Sequence, residues 1–255
     1  MTRVIAVVNQ KGGVGKTTTS VNTAASLSQA GKRVLLVDLD PQGNATMGSG
    51  VDKRTTERTV YHVLLGLGEA SSIRCRSESG KFDLLPANRE LAGAEVELVD
   101  LPNRETRLRA ARERVEAEYD FILIDCPPSL SLLTINGLVA ARRVLIPMQC
   151  EYYALEGLTD LVGTIKRVRS ALNPNLEIEG LLRTMYDPRN TLAQQVSSQL
   201  ESHFGDKVYR TLVPRNVRLA EAPSHGVPAV FLDRTSKGAQ AYLALAEEIL
   251  AREVA

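Results

Sequence analysis

Between Gln10 and Thr18 the chain reads Gln-Lys-Gly-Gly-Val-Gly-Lys-Thr-Thr, and no other stretch restricts its possible folds so tightly. Glycines at 12, 13 and 15 free the backbone for conformations closed to other residues and let it approach an anion closely. The preceding run, Val4-Ile-Ala-Val-Val8, is short, continuous and rich in β-branched residues, as suits a strand buried on both faces. After the glycines, Val21, Ala24, Ala25, Leu27 and Ser28 recur at roughly helical spacing and stop near Gly31. A strand, a glycine-rich turn and a helix therefore follow one another. In that context the N–H groups of residues 13–17 converge on a phosphate at the positive end of the helix. Lys16 supplies a mobile charge for β- and γ-phosphates, and the Thr17 hydroxyl is placed to ligate Mg²⁺. The expected phosphate-binding set is Lys11, Gly12, Gly13, Val14, Gly15, Lys16, Thr17 and Thr18. The loop is a variant: Gln10 stands where the ordinary pattern begins with glycine, and Lys11 is a second lysine.

Two further apolar runs end in acid. Arg33-Val-Leu-Leu-Val-Asp38 leads into Leu39-Asp40-Pro41, and Asp120-Phe-Ile-Leu-Ile-Asp125 leads into Cys126-Pro127-Pro128. In an open parallel sheet the ligand lies beyond the carboxyl ends of the strands. Asp38, Asp40 and Asp125 at those ends are candidates to hold Mg²⁺ or to position an attacking water. One such carboxylate is often a mere cap; two such strands beside a phosphate loop form a set.

Apolar strand-like runs alternate with helical stretches throughout the 255 residues. The pattern predicts one α/β domain, residues 1–255, with a doubly wound, mostly parallel sheet and helices on both faces. Further strands are expected near Phe82–Pro86, Arg143–Pro147, Glu177–Arg183 and Val208–Val213. Helices are expected over Thr59–Leu67, Arg104–Ala117, Leu130–Ala140, Leu155–Leu172, Leu192–Phe204 and Lys237–Arg252. The polar stretch Ser71–Lys81 reads as a mobile loop. No apolar run approaches the ~20 residues of a membrane span, and the first strand begins too early to leave room for a signal peptide. Cys75, Cys126 and Cys150 form neither a Cys-x-x-Cys pair nor a disulfide framework, so a reduced, cytoplasmic protein is expected. His62, His203 and His225 are too scattered for a metal site.

Lys11-Gly-Gly-Val-Gly-Lys-Thr-Thr18, Val37-Asp-Leu-Asp-Pro-Gln-Gly-Asn44 and Ile124-Asp-Cys-Pro-Pro-Ser129 resemble, in that order, the motifs of the deviant Walker A ATPases. Thr184-Met-Tyr-Asp-Pro-Arg189 and Val213-Pro-Arg-Asn-Val-Arg218, continuing to Gly226, resemble the ParA/Soj branch, the chromosome-partitioning ATPases. The resemblance covers nearly the whole chain. It implies ATP with Mg²⁺ as the nucleotide, an ATP-dependent sandwich dimer, slow hydrolysis, non-specific DNA binding by the dimer, nucleoid association and a ParB-type partner. It makes Lys11 a lysine that reaches the phosphates held by the other subunit, and Asp40 the residue that orients the attacking water. Asp38 and Asp125 would support Mg²⁺, Pro214 and Asn216 would contact adenine, and Arg189 and Arg218 would contact DNA.

The formal charge is only +1, so any DNA affinity must come from basic residues gathered on one face. The densest run, Arg107–Arg114, has Glu105–Arg109, Arg112–Glu116 and Arg114–Glu118 at i,i+4, which predicts pairing along a solvated helix. Other branches are less compatible. A membrane-bound MinD-like regulator would end in a basic amphipathic helix, whereas Ala241–Ala255 carries acids and one arginine and is expected to pack on the core. An iron–sulfur carrier would need paired cysteines, and a DNA-reading domain would need chain upstream of the first strand. The MinD-like regulator of division-site placement is the alternative reading, and a metabolic ligase on the same nucleotide core is a further one.

Overall fold

In the computed structural model, which describes residues 2–252, the chain builds one eight-stranded sheet. The strands are β1 (Arg3–Val7), β2 (Val34–Asp38), β3 (Cys75–Ser77), β4 (Phe82–Leu85), β5 (Phe121–Asp125), β6 (Arg143–Met148), β7 (Glu177–Tyr186) and β8 (Val208–Pro214). Their spatial order is β3-β4-β2-β5-β1-β6-β7-β8, and every pairing is parallel except β3 with β4.

Alternation along the central strands sends successive side chains to opposite faces. Val4 and Ala6 join one core, with Leu133, Leu161 and Leu200 from the helices Leu132–Ala140, Ala154–Ala171 and Thr191–Phe204. Ile5 and Val7 join the other, with Leu27 and Tyr242 from the helices Lys16–Gln29 and Lys237–Ala251. Both faces are covered, which is why the central strands are apolar without interruption.

The helix Lys237–Ala251 turns Ala239, Tyr242, Leu245 and Ile249 inward, and the Tyr242 hydroxyl bonds Thr19 at 3.0 Å. As far as Arg252 the expectation of a core-packed end holds; Glu253–Ala255 lie outside the described residues. No helix among the described residues is long and apolar enough to cross a membrane.

Two sequence expectations are corrected. Ser71–Lys81 is not an open loop: Cys75–Ser77 forms the antiparallel edge strand, preceded by a helical turn at Ala70–Ile73. The Arg107–Arg114 run is only partly a solvated, self-paired helix. Arg112 is buried and does pair with Glu116, but Arg114 pairs with Glu69, Glu105 pairs with Arg104, and Glu118 pairs with Arg74.

Candidate nucleotide site

The site lies at the carboxyl ends of β1, β2 and β5, which are adjacent in the order β2-β5-β1. Gly13 and Gly15 have φ of +74° and +86°, the left-handed region that side chains avoid, whereas Gly12 has no positive φ. Gly15 caps the helix Lys16–Gln29, so the phosphate loop ends at the positive pole of a 14-residue helix. Val14 is buried beneath the loop and anchors it, while Thr17 and Thr18 open the helix.

Lys16 is buried, and its Nζ donates to the Lys11 carbonyl at 3.1 Å. Burial lowers its pKa, opposed by the charges of Asp125 and Asp40. Asp125 is fully buried; its Oδ2 accepts from Thr17 Oγ1 and its Oδ1 from Ser20 Oγ, each at 2.8 Å. Asp38, equally buried, stands beside Asp125 in the β2–β5 register. Its Oδ2 accepts from the Thr46 N–H and hydroxyl, each at 2.8 Å, and its Oδ1 from the Asp40 N–H at 3.1 Å. Desolvation raises the pKa of both acids, and for Asp125 the neighbouring Asp38 charge adds to it. Asp40 is partly exposed, with Oδ1 accepting from the Gln42 N–H at 2.9 Å.

This donor set suits a hard divalent cation, which takes oxygen ligands and relieves repulsion between buried carboxylates. Among the described residues no three of His, Cys, Asp and Glu gather as a ligand cage. Two carboxylates and a hydroxyl match the sparse protein ligation of Mg²⁺ at phosphates.

Lys11 points elsewhere. Its Nζ pairs with Glu151, both side chains being about half exposed, and its N–H bonds Asn9 Oδ1 at 2.9 Å. Pro214 ends β8, and Asn216 caps the short helix Val217–Glu221 by accepting from the Leu219 N–H at 3.4 Å. Arg189 lies in the turn beyond the carboxyl end of β7, and Arg218 in the helix Val217–Glu221 that follows β8. Arg189 is engaged by Asp187, and Arg218 by Glu221 and Asp233. The structure therefore gathers Lys16, Thr17, Asp38 and Asp125 tightly, with Asp40 near them. It leaves Lys11, Arg189 and Arg218 on carboxylates of their own chain. Two surface cavities, of about 440 and 1120 Å³, are lined by Lys32 and Tyr119 and by Arg3 and Arg143 respectively, at the opposite end of the sheet.

Several residues escape sequence reasoning. Ser20 had a usable signal, since it falls three residues after Thr17 on one helix face. Thr46 and Glu151 had none, and Thr184 was marked only as the first residue of the Thr184–Arg189 motif. Their partners Asp38, Lys11 and Val14 are brought to them by the turn after β2 and by the neighbouring strands. Cys126 is buried, and desolvation raises its thiol pKa, as suits a side chain packed in the core.

A family model described as an AAA domain matches residues 2–178. The chromosome-partitioning ATPase Soj of Thermus thermophilus is 55% identical over 251 residues, covering 98% of this chain and 96% of that protein. The sporulation initiation inhibitor protein Soj of Bacillus subtilis is 54% identical over 251 residues, covering 98% and 99%. A solved structure described as cobyrinic acid a,c-diamide synthase from Mycobacterium smegmatis, with bound ADP and magnesium, matches with a TM-score of 0.86. It is 41% identical and covers 98% of this chain and 94% of that one.

Proposed function

The chain belongs to the family of chromosome-partitioning ATPases that includes ParA and Soj, and on that basis we propose that it acts as an ATP-driven DNA-segregation switch, one domain over residues 1–255. The observation that carries this reading is the Asp38–Asp125 pair, two buried carboxylates closing neighbouring strands, one of them tied to Thr17 and Ser20 of the phosphate helix.

Residues 12–18 grip the β- and γ-phosphates through backbone N–H groups, and Lys16 exchanges the Lys11 carbonyl for a phosphate oxygen. Mg²⁺, when bound, neutralises charge between the phosphates; Thr17, Asp38 and Asp125 are the residues to hold it. Asp40 orients the attacking water. The water oxygen bonds to the γ-phosphorus as the bridging oxygen leaves with ADP, and the water's proton passes through Asp40 to the departing phosphate. Pro214 and Asn216 border adenine.

Lys11 is held by an exposed ion pair, a class of contact worth only ~0–1 kcal/mol. A triphosphate on a second copy of the chain therefore competes for it readily, and ATP favours the dimer through a contact that only the dimer contains. Arg189 and Arg218 exchange their carboxylates for DNA phosphates once two copies sum their weak patches. A ParB-type partner stimulates hydrolysis, and the protein works in the cytoplasm on the nucleoid.

The test is binding to random-sequence duplex DNA at fixed low salt with ATP, ADP or no nucleotide, using Asp40→Ala to hold the ATP form. Binding seen mainly with ATP, and persisting in the variant, is expected. No DNA binding in any state, despite an ATP-dependent dimer, would reject the switch. The name of the Mycobacterium protein points instead to an amide-forming ligase. ATP turnover that required a small carboxylic acid and ignored DNA would favour that reading.

A further inference from the structure

Met185 is one of three residues other than glycine, among those described, with a positive φ; its value is +50°. It lies near the carboxyl end of β7, where the pairing with β8 slips. Arg183 stands opposite Leu212 and Tyr186 opposite Pro214, so β7 accommodates an extra residue across that step. A bulge of this kind bends a strand and re-aims the residues beyond it. Left-handed backbone at a bulky residue persists only where its surroundings hold it.

Three parts of the proposed switch meet here. The Thr184 hydroxyl, buried, donates to the Val14 carbonyl of the phosphate loop at 2.7 Å. The Gln149 amide contacts both the Gly13 carbonyl, at a long 3.5 Å, and Met185 Sδ. On the far side, Asp187–Asn190 forms a compact turn: the Asn190 N–H donates to the Asp187 carbonyl at 3.1 Å, and Arg189 is clamped on Asp187. Asn190 then caps the helix Thr191–Phe204, so Arg189 sits between the bulge and a fixed helix.

A peptide unit is planar and moves as one body. The unit joining Val14 to Gly15 carries the Gly15 N–H, which the nucleotide reading turns toward a phosphate, and the carbonyl that accepts from Thr184. The preceding unit presents the Val14 N–H and the Gly13 carbonyl, which faces Gln149. Drawing those N–H groups onto a phosphate therefore turns carbonyls on which the Met185 bulge rests.

We propose that Thr184 and Met185 are positioning residues that transmit phosphate-loop occupancy to the Arg189 turn, five residues beyond Thr184. The inference rests on the nucleotide reading of the loop and not on DNA binding. ATP then alters the Arg189 turn within each subunit, in addition to bringing two subunits together.

The experiment is amide hydrogen exchange on the full-length chain with and without ATP and Mg²⁺, following residues 12–18 and 186–192 separately. In the wild type both segments should respond. Thr184→Val should keep the response at 12–18 and the ATP-dependent dimer. It should lower the response at 186–192 by about fivefold, the weight of one hydrogen bond. Thr184→Ser, which keeps the hydroxyl, should restore it. Met185→Gly, which removes the conformational constraint, should also weaken it, and it decides the matter if Thr184→Val does not fold. A Thr184→Val response at 186–192 equal to wild type, or a wild-type response confined to 12–18, overturns the proposal. Loss of the response at 12–18 in the wild type would overturn the nucleotide reading itself. DNA binding, measured in parallel, can fail without touching either result.

Discussion

Asp38 and Asp125 stand side by side as register partners on adjacent parallel strands, both wholly buried, each with its oxygens engaged by hydroxyl or N–H donors. Removal from water raises the pKa of both, and the Asp38 charge raises that of Asp125 further. The donors from Thr17, Ser20 and Thr46 work in the opposite direction without cancelling the burial. The pair is thus a place where negative charge is costly until a cation arrives.

That cost sets a pH dependence for the metal-free protein. The folded chain keeps protons on this pair at pH values where the unfolded chain has released them. The pair's contribution to stability is therefore largest below the ordinary carboxylate range and falls as pH rises toward neutrality, through the raised folded values. Thermal unfolding in chelator should become easier over that interval, and Mg²⁺ with nucleotide should remove the loss. An unchanged pH slope in Asp125→Asn would refute the assignment.

Kinetics separate the two roles given to charged groups around the phosphates. Lys16→Ala should abolish ATP turnover by weakening phosphate binding. Asp40→Ala should keep ATP affinity within a few-fold and slow turnover by roughly 100-fold or more, within the range for losing a positioned general base. Equilibrium binding of a fluorescent ATP beside single-turnover hydrolysis distinguishes them. Loss of binding in Asp40→Ala would remove it from the water-positioning role.

Gly238 is a packing requirement beside the loop proposed to border adenine. A Cβ built there would lie 2.5 Å from Leu219 Cγ and 3.1 Å from Asn216 Cγ. Gly238→Ala should cost about 1–3 kcal/mol by overpacking, a fall in Tm of roughly 5 °C for a chain of this size. It should also weaken ATP binding by displacing Asn216. An unchanged Tm would mean that Leu219 swings aside freely.

Thiol labelling tests Cys126. Burial holds its thiol neutral and sheltered, whereas Cys75 is half-buried at the sheet edge. At neutral pH Cys75 should react with an alkylating reagent first, and Cys126 only at the rate of unfolding. Rapid modification of Cys126 in the native protein would make it a redox-sensitive group instead.

Much of the site was legible because its determinants are local. Strand, glycine turn and helix follow one another within the first 29 residues, and each acid sits at the end of its own apolar run. Local signals misled where tertiary partners competed with neighbours along the chain. Arg114 had Glu118 four residues away, yet its helix ends at Glu113 and the side chain reaches Glu69. Cys75–Ser77 was read as loop because a three-residue polar strand shows no alternation; only pairing with β4 makes it a strand.

Spacings within one strand or one helical turn were enough to specify the phosphate loop, the mostly parallel sheet and the acids at its strand ends. Only the assembled fold could show that Asp38 faces Asp125, that Lys11 rests on Glu151, and that Thr184 holds the Val14 carbonyl. The residues in these pairs lie 87 to 170 apart in the chain. Their meeting depends on the order in which the strands lie side by side, and that order is set by how the two apolar cores close over the sheet.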